Sequence, residues 1–104
     1  MKVDNKDGAL ILAPGTDLVA SGIEKLRNSI LACFKEHPDA SNIVLDAAGI
    51  EIVDSLGINL IIGLYRQADA ESKKFEIINA GEKFMKVANF FRFASLFTVK
   101  TAEE

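Results

Sequence analysis

Short apolar runs recur along the chain, and each is bounded by residues that favour turns. "ALILA" ends at Pro14-Gly15, and "NIVLD" (Asn42 to Asp46) and "KFEIINA" (Lys74 to Ala80) follow later. Runs of this length are typical of buried strands. Because "NIVLD" shows no alternation of apolar and polar residues, we expect it to be covered on both faces. Val3 and the final "LFTVK" are candidates for two further short strands, with Asp7-Gly8 as a hairpin turn.

A longer segment with helical periodicity follows the first turn. Ser21 and Glu24 have the S-x-x-E spacing of a capping box, which predicts a helix start, and Pro38 predicts its end. The apolar positions of this segment recur every three or four residues, and they are Ile23, Leu26, Ile30, Cys33 and Phe34. We expect Cys33 to be a buried packing residue. His37, at the helix end, is expected to interact favourably with the helix dipole.

Two more helices are predicted by the same spacing. One begins at Asp54 or Ser55 and runs to about Ala70. The other is "EKFMKVANFFRF", with Phe84, Val87 and Phe91 on one face. We expect the phenylalanines of "NFFRFASLF" to form a C-terminal core cluster.

The order of these elements predicts the fold class. Strands and helices alternate, which indicates an α/β fold with right-handed crossovers between parallel strands. The N-terminal hairpin makes the sheet mixed. We therefore expect one domain over residues 1–104, with a mixed four- to five-stranded sheet, helices packed on it, and a tail that frays from about residue 101.

Charge and composition exclude several classes of protein. The 104 residues include 12 Lys and Arg and 15 Asp and Glu, for a formal net charge of −3, and the basic residues are scattered. This distribution argues against nucleic-acid binding and against a polybasic membrane patch. The single cysteine fits a reducing compartment. The N-terminus lacks the apolar core of a signal peptide, and no apolar run is long enough to span a membrane, so we expect a cytoplasmic protein without membrane insertion.

One motif contains a hydroxyl group in a position that suits a functional site. Asp54-Ser55-Leu56-Gly57 lies between a strand and a helix, where functional groups gather in α/β sheets. Ser55 at a helix start lies among unpaired backbone N–H groups, which favour a phosphate. Asp54 or Ser55 could also simply cap the helix, since both are good capping residues. The two interpretations are compatible.

The helix after the motif is more apolar than one buried face requires. Ile58, Ile61, Ile62 and Tyr65 can form one face, while Asn59, Gly63, Arg66 and Gln67 lie on the polar side. Gly63 costs up to about 1 kcal/mol relative to alanine in mid-helix, and close approach of another surface is one reason to tolerate it. We expect Ile58, Asn59, Ile62, Gly63 and Arg66 to contact a partner.

These residues resemble the STAS domain family, and within it the single-domain anti-sigma factor antagonists of bacterial partner-switching systems. "GALILAPGTDL" is similar to the family's first strand and its turn, with Gly15 and Asp17 close to the usual pair. "NIVLDAAGIEIVDSLGINLIIGLYRQA" is similar to the central strand, phosphorylation loop and second helix. The family core is Asp-Ser-(Ser/Thr/Ala)-Gly-(apolar)-Gly, so Leu56 and Asn59 depart from it.

The resemblance implies a non-catalytic regulatory binding module. Ser55 aligns with the phosphorylated serine, and Asp54, Leu56 and Gly57 complete its loop. The unphosphorylated domain would dock on a serine protein kinase or anti-sigma-like regulator, phosphorylation of Ser55 would release it, and a PP2C-type phosphatase would reset it. The output could be transcription or another process such as biofilm or motility control. An alternative in the same family is a STAS subunit of a lipid or anion transport complex that acts as a contact module.

An enzyme is the least supported class. Asp46, Glu51 and Asp54 could suggest a metal or an acid–base pair, but we interpret them as strand-end and loop carboxylates. With one histidine and one cysteine the chain lacks the ligands of a zinc site. No nucleotide-binding motif occurs. We therefore expect no metal, no cofactor and no catalytic residues.

Overall fold

The elements follow the predicted order. In the computed structural model, which describes residues 1–102, they are β1 (Lys2–Lys6), β2 (Ala9–Ala13), α1 (Ala20–Glu36), β3 (Asn42–Asp46), α2 (Ser55–Ala70), β4 (Lys74–Ala80), α3 (Glu82–Phe90), a short 3₁₀ helix (Phe93–Ser95) and β5 (Thr98–Thr101). The predicted α/β class with a mixed sheet is confirmed.

The strands lie in the sheet in the same order as in the chain, β1-β2-β3-β4-β5. The first pair is antiparallel and joined by a turn at Asp7-Gly8, and the remaining pairs are parallel. Each parallel pair is connected through one helix. Because right-handed crossovers that advance in one direction all pass over the same side, the three helices lie on one face of the sheet.

The core lies between that face and the helices. Alternate strand residues point into it, and cross-strand partners such as Leu10, Ile43 and Phe75 are in register. Its buried members from the central strands and the helices include Leu10, Leu12, Ile43, Leu45, Phe75, Ile77, Ile23, Ile30, Phe34, Ile61, Leu64 and Phe84. Leu26 and Cys33 of the predicted α1 face pack against this core from partly buried positions.

The opposite face of the sheet carries no helix, but β3 is buried on both sides as predicted, since Ile43, Val44 and Leu45 are at most 4% exposed. Val44 is buried, yet it does not belong to the core cluster. Its cross-strand neighbours on this face are Ile11 and Glu76, and these shield it. Lys100 Nζ lies 3.8 Å from Glu76 Oε2, so charged side chains border the apolar centre.

The C-terminal aromatic residues divide between core and surface. Of the phenylalanines in "NFFRFASLF", Phe93 and Phe97 are buried as expected for a core cluster, whereas Phe90 is 79% exposed and lies outside it. Phe91 was predicted on the buried face of α3 but is 47% exposed. The helix ends at Phe90, and Arg92 adopts a left-handed conformation (φ 56°), so the chain turns before the helical periodicity reaches Phe91.

Regular structure extends beyond the residue at which we expected fraying. Thr101 is the last residue of β5, and the Ala102 N–H donates to the Ala80 carbonyl oxygen at 3.2 Å. Residues 103 and 104 lie outside the described part. Within residues 1–102, no helix has both the length and the apolar character that a membrane crossing requires.

Candidate functional site

Two loops meet at the carboxyl ends of β2 and β3. The first precedes α1 and the second precedes α2. A parallel bridge joins Leu18 to Val53. The Leu18 N–H donates to the Ile52 carbonyl oxygen at 2.9 Å, and the Asp54 N–H donates to the Leu18 carbonyl oxygen at 3.1 Å. These bonds tie the loop with the serine motif to the start of α1.

The Asp17 side chain fixes the backbone of the second loop by hydrogen bonds. Its Oδ1 accepts the N–H groups of Glu51 and Ile52, both at 3.0 Å. These bonds favour the charged carboxylate, so the hydrogen bond from Ile52, followed by that from Glu51, lowers the pKa of Asp17. Gly15, which the sequence places in the same turn, has a φ of +67°. Its carbonyl group lies so close to Gly49 that a Cβ on Gly49 would be 3.3 Å from the carbonyl carbon and oxygen.

Asp54 caps two helices with one carboxylate. Its Oδ1 accepts the N–H groups of Leu56 and Gly57 at 3.0 Å, in the first turn of α2. Its Oδ2 accepts the N–H of Ala20, the first residue of α1, at 2.8 Å. Both helix dipoles present their positive ends to this carboxylate. The bond from Gly57, followed by that from Ala20, lowers the pKa of Asp54.

This second role of Asp54 corrects the predicted capping box at Ser21 and Glu24. The helix begins at Ala20, with Val19 at the N-cap position and no cap from a neighbouring side chain. The valine side chain has no atom that accepts a hydrogen bond, so the side-chain acceptor comes from the other loop. The only sequence signal was the missing capping residue before Ala20.

Ser55 is the first residue of α2 and is exposed. Because Asp54 caps the helix, the Ser55 hydroxyl is not needed for that purpose. Two exposed apolar side chains flank it in the chain: Leu56, the next residue, is 41% exposed, and Ile52, three positions earlier, is 58% exposed. The sequence did not single out Ile52, since it continues the alternation of "GIEIV" as a strand residue would.

Gly57 lets α2 begin against the first loop. A Cβ at this position would overlap the Leu18 carbonyl oxygen and lie 2.8 Å from both Leu18 Cβ and Val53 Cγ1. Only a residue without a side chain allows this approach. The glycine of the motif therefore has a packing function in addition to its place beside Ser55.

The expected partner surface on α2 is only partly accessible. Asn59, Gly63 and Arg66 are exposed. Ile62 is half-buried against the core, and Ile58 is 9% exposed and belongs to it. Ile58 is therefore not available to a partner, because the helix face that carries it packs on the sheet.

A shallow groove of about 120 Å³ runs between α1 and α2 beside the exposed residues. Asn59 and Gly63 line it from α2, and Arg27 and Leu31 line it from α1. The α1 side of this groove carries no signal in the sequence that predicts it. In combination, the groove and the Ser55 loop form one accessible surface along α2.

The remaining acids near the site serve the structure separately. Asp46 Oδ1 accepts the Ala48 N–H at 3.0 Å and Asn79 Nδ2 at 3.1 Å. Glu51 pairs with Lys83 at 3.0 Å. Residues 1–102 contain no group of three or more His, Cys, Asp or Glu side chains arranged to hold a metal.

Two glycines of α2 should respond in opposite ways to alanine. Gly57→Ala forces a Cβ into the Leu18 backbone and should destabilise the domain by about 1–3 kcal/mol, the usual cost of overpacking. Gly63→Ala meets no atom within 4 Å and should stabilise it by up to about 1 kcal/mol through helix propensity. Urea unfolding at neutral pH measures both, and equal effects would contradict the packing at Gly57.

The stability of the domain should fall in acid because of Asp17 and Asp54. Their native pKa values are lowered, so their contribution is complete above the ordinary aspartate pKa of about 3.9 and is lost as pH falls through the native values. Asp17→Asn should make the urea midpoint less sensitive to pH below about pH 5. Asp39→Asn, on an exposed loop, is the matched control and should leave the slope unchanged.

Several solved structures have the same fold as this chain. A candidate anti-sigma factor antagonist of Thermotoga maritima superposes with a TM-score of 0.86 at 16% identity, covering 95% of this chain and 84% of that chain. An anti-sigma factor antagonist of Mycobacterium paratuberculosis gives 0.82 at 16% identity, covering 95% and 82%. The phosphorylated form of the Bacillus cell fate determinant SpoIIAA gives 0.71 at 17% identity, covering 98% and 92%. At these identities the likeness establishes a shared fold.

Comparison of the sequence with curated proteins found no match. Comparison with family models is decisive, because the model of STAS_2, described as "Mlab, STAS domain", matches residues 1–98. That span includes both loops, the serine motif and all three α-helices. The chain therefore belongs to the STAS domain family.

Proposed function

We propose that this protein is a non-catalytic regulatory module of a partner-switching system, controlled by phosphorylation of Ser55. One observation carries the proposal. The Asp54 carboxylate accepts backbone N–H groups from the first turns of both α1 and α2, which leaves the hydroxyl of Ser55, the first residue of α2, exposed and free of a capping role. A kinase can reach such a hydroxyl, and its modification does not remove a cap.

The unphosphorylated surface suits an apolar contact. Leu56, directly after Ser55, and Ile52, three positions before it, expose their side chains, while the carboxylates of Asp17 and Asp54 in the same two loops accept backbone N–H groups. A partner that covers this surface gains the burial of two apolar side chains and meets little uncompensated charge. The contact continues along Asn59, Gly63 and Arg66 of α2.

Phosphorylation would reverse the character of this surface. A phosphate adds about −1.5 to −2 charge beside Asp54, within a contact that is otherwise apolar. Partner binding then requires desolvation of that charge, and this cost lowers the affinity of the partner. Within the domain, the positive end of α2 compensates part of the charge, so the fold itself is retained. The common fold of this chain and phosphorylated SpoIIAA supports that compatibility.

The cycle we propose needs two enzymes that act on this chain. A serine protein kinase or anti-sigma-like regulator binds the free form and modifies Ser55, and a PP2C-type phosphatase removes the phosphate. Both act in the cytoplasm. The protein itself contributes the binding surface and no catalytic group.

Phosphorylation should be detectable at Ser55 and nowhere else in the motif, since Leu56 replaces the neighbouring hydroxyl common in the family. The intact mass of protein purified from its own organism should show a phosphate-sized increment. Ser55→Ala should abolish it. Ser29→Ala, at an exposed serine of α1, is the control and should retain it. An increment that persists in Ser55→Ala would place the modified residue elsewhere.

The exposed strip of α2 should tolerate a charge in the free domain but not in the complex. Gly63 has open space around it, so Gly63→Glu should fold normally by circular dichroism and urea unfolding. We expect at least a tenfold loss of affinity for the kinase partner by calorimetry. Lys86→Glu on α3, which lies outside this surface, should bind as the wild type does. A Gly63→Glu variant that folds and binds normally would exclude α2 from the interface.

A second candidate is a STAS subunit of a lipid or anion transport complex. Exposed Ile52 and Leu56 favour it, because two apolar side chains suit a permanent contact that no phosphate interrupts. Stable, stoichiometric co-purification with a transporter ATPase, undiminished by Ser55→Asp, would support this candidate over the switch.

A further inference from the structure

The end of the molecule opposite the Ser55 loop carries an exposed aromatic patch. Phe90 ends α3 with 79% of its surface exposed, Phe91 follows at 47%, and Leu96 is 44% exposed. The rings of Phe90 and Phe91 are in edge contact, with centroids 5.0 Å apart. The proposed switch does not use these residues. Ser55 follows the carboxyl end of β3, whereas this patch lies between α3 and the amino end of β5.

The segment that carries the patch is basic, in contrast to the rest of the chain. Residues 83–102 contain four basic residues and no acid, whereas the remainder has eight basic and 15 acidic residues. Lys83 and Lys100 are paired with Glu51 and Glu76. Lys86 and Arg92 form no salt bridge within residues 1–102.

These two unpaired cations lie next to the aromatic pair. Lys86 lies one helical turn before Phe90 and therefore shares its face of α3. Arg92 directly follows Phe91 in the turn that ends the helix. The local surface is therefore apolar at its tip and cationic beside it, which complements an anionic, apolar partner.

The shape and area of the patch limit what can cover it. A side chain at the floor of a depression could not keep 79% of its surface exposed, so the surface at Phe90 is convex. The three apolar side chains together expose on the order of 300 Å². A stable protein interface needs about 800 Å² from each partner, so a second copy joined through this patch would lie well below that requirement.

We propose that this tip is a peripheral binding site for an anionic membrane surface. Phe90, Phe91 and Leu96 enter the boundary between headgroups and acyl chains, and Lys86 and Arg92 contact the lipid phosphates. A small convex apolar tip needs no complementary socket in a fluid interface, and its binding is supported by the adjacent cations, as two weak signals together anchor peripheral proteins. The Ser55 surface at the other end stays accessible.

The absence of tryptophan from the chain allows a direct test. Phe90→Trp introduces a single reporter at the tip, and Ile52→Trp introduces one at the opposite end as the matched control. We expect the emission of Phe90→Trp to shift to the blue with vesicles of phosphatidylcholine and phosphatidylglycerol at low salt. It should not shift with phosphatidylcholine alone, and Ile52→Trp should shift with neither.

Flotation of the wild type with the same vesicles gives an independent measurement. Phe90→Ser should abolish binding while the urea midpoint stays unchanged, and Lys86→Gln should weaken binding about fivefold. Wild type that fails to float with anionic vesicles would overturn the proposal in favour of an acidic protein surface. Equal binding by Phe90→Ser, or an equal shift of Ile52→Trp, would overturn it as well. None of these results depends on the state of Ser55.

Discussion

The carboxylate of Asp54 is the constraint on which the site depends. It joins the first turns of two helices that come from different parts of the chain, and it compensates the positive ends of both. Asp17 acts in parallel on the loop before it. Since these two side chains accept backbone N–H groups from both loops and helix starts, the hydroxyl of Ser55, next to Asp54, is left available.

Much of the fold could be predicted from the sequence, because it depends on local periodicity. β2, β3 and β4 were predicted with the bounds that the structure has, and α2 was predicted to begin at Asp54 or Ser55. The errors arose where tertiary contacts replaced local signals. The S-x-x-E spacing at Ser21 is a sound local capping signal, but the helix begins at Ala20, whose N–H donates to a carboxylate 34 positions away. Ile58 was expected to contact a partner from the apolar face of α2, yet it is 9% exposed and packs in the core.

The motif of the candidate site could be predicted from the sequence, but the residues that surround the motif in space could not. The motif is recognisable because an acid, a hydroxyl and a glycine (Asp54, Ser55 and Gly57) stand at the start of a helix. The same three residues carry the resemblance to the family. The exposure of Ile52, the groove wall from Leu31 and the close contact of Gly49 with Gly15 depend on how two loops meet. The residue spacing within one segment does not predict contacts between two loops, so these features became apparent only in the structure.

The strand order has a further consequence for how the domain forms. Every strand pairs with the one that follows it in the chain, so no pairing has to wait for a distant segment to arrive. The entropy lost in closing each connection is that of one helix-length crossover, which places domains of this class between helical bundles and all-β domains in folding rate. Assembly can thus proceed from the first hairpin toward β5 during synthesis. The loop that bears Ser55 would then acquire its final shape before the last strand is added.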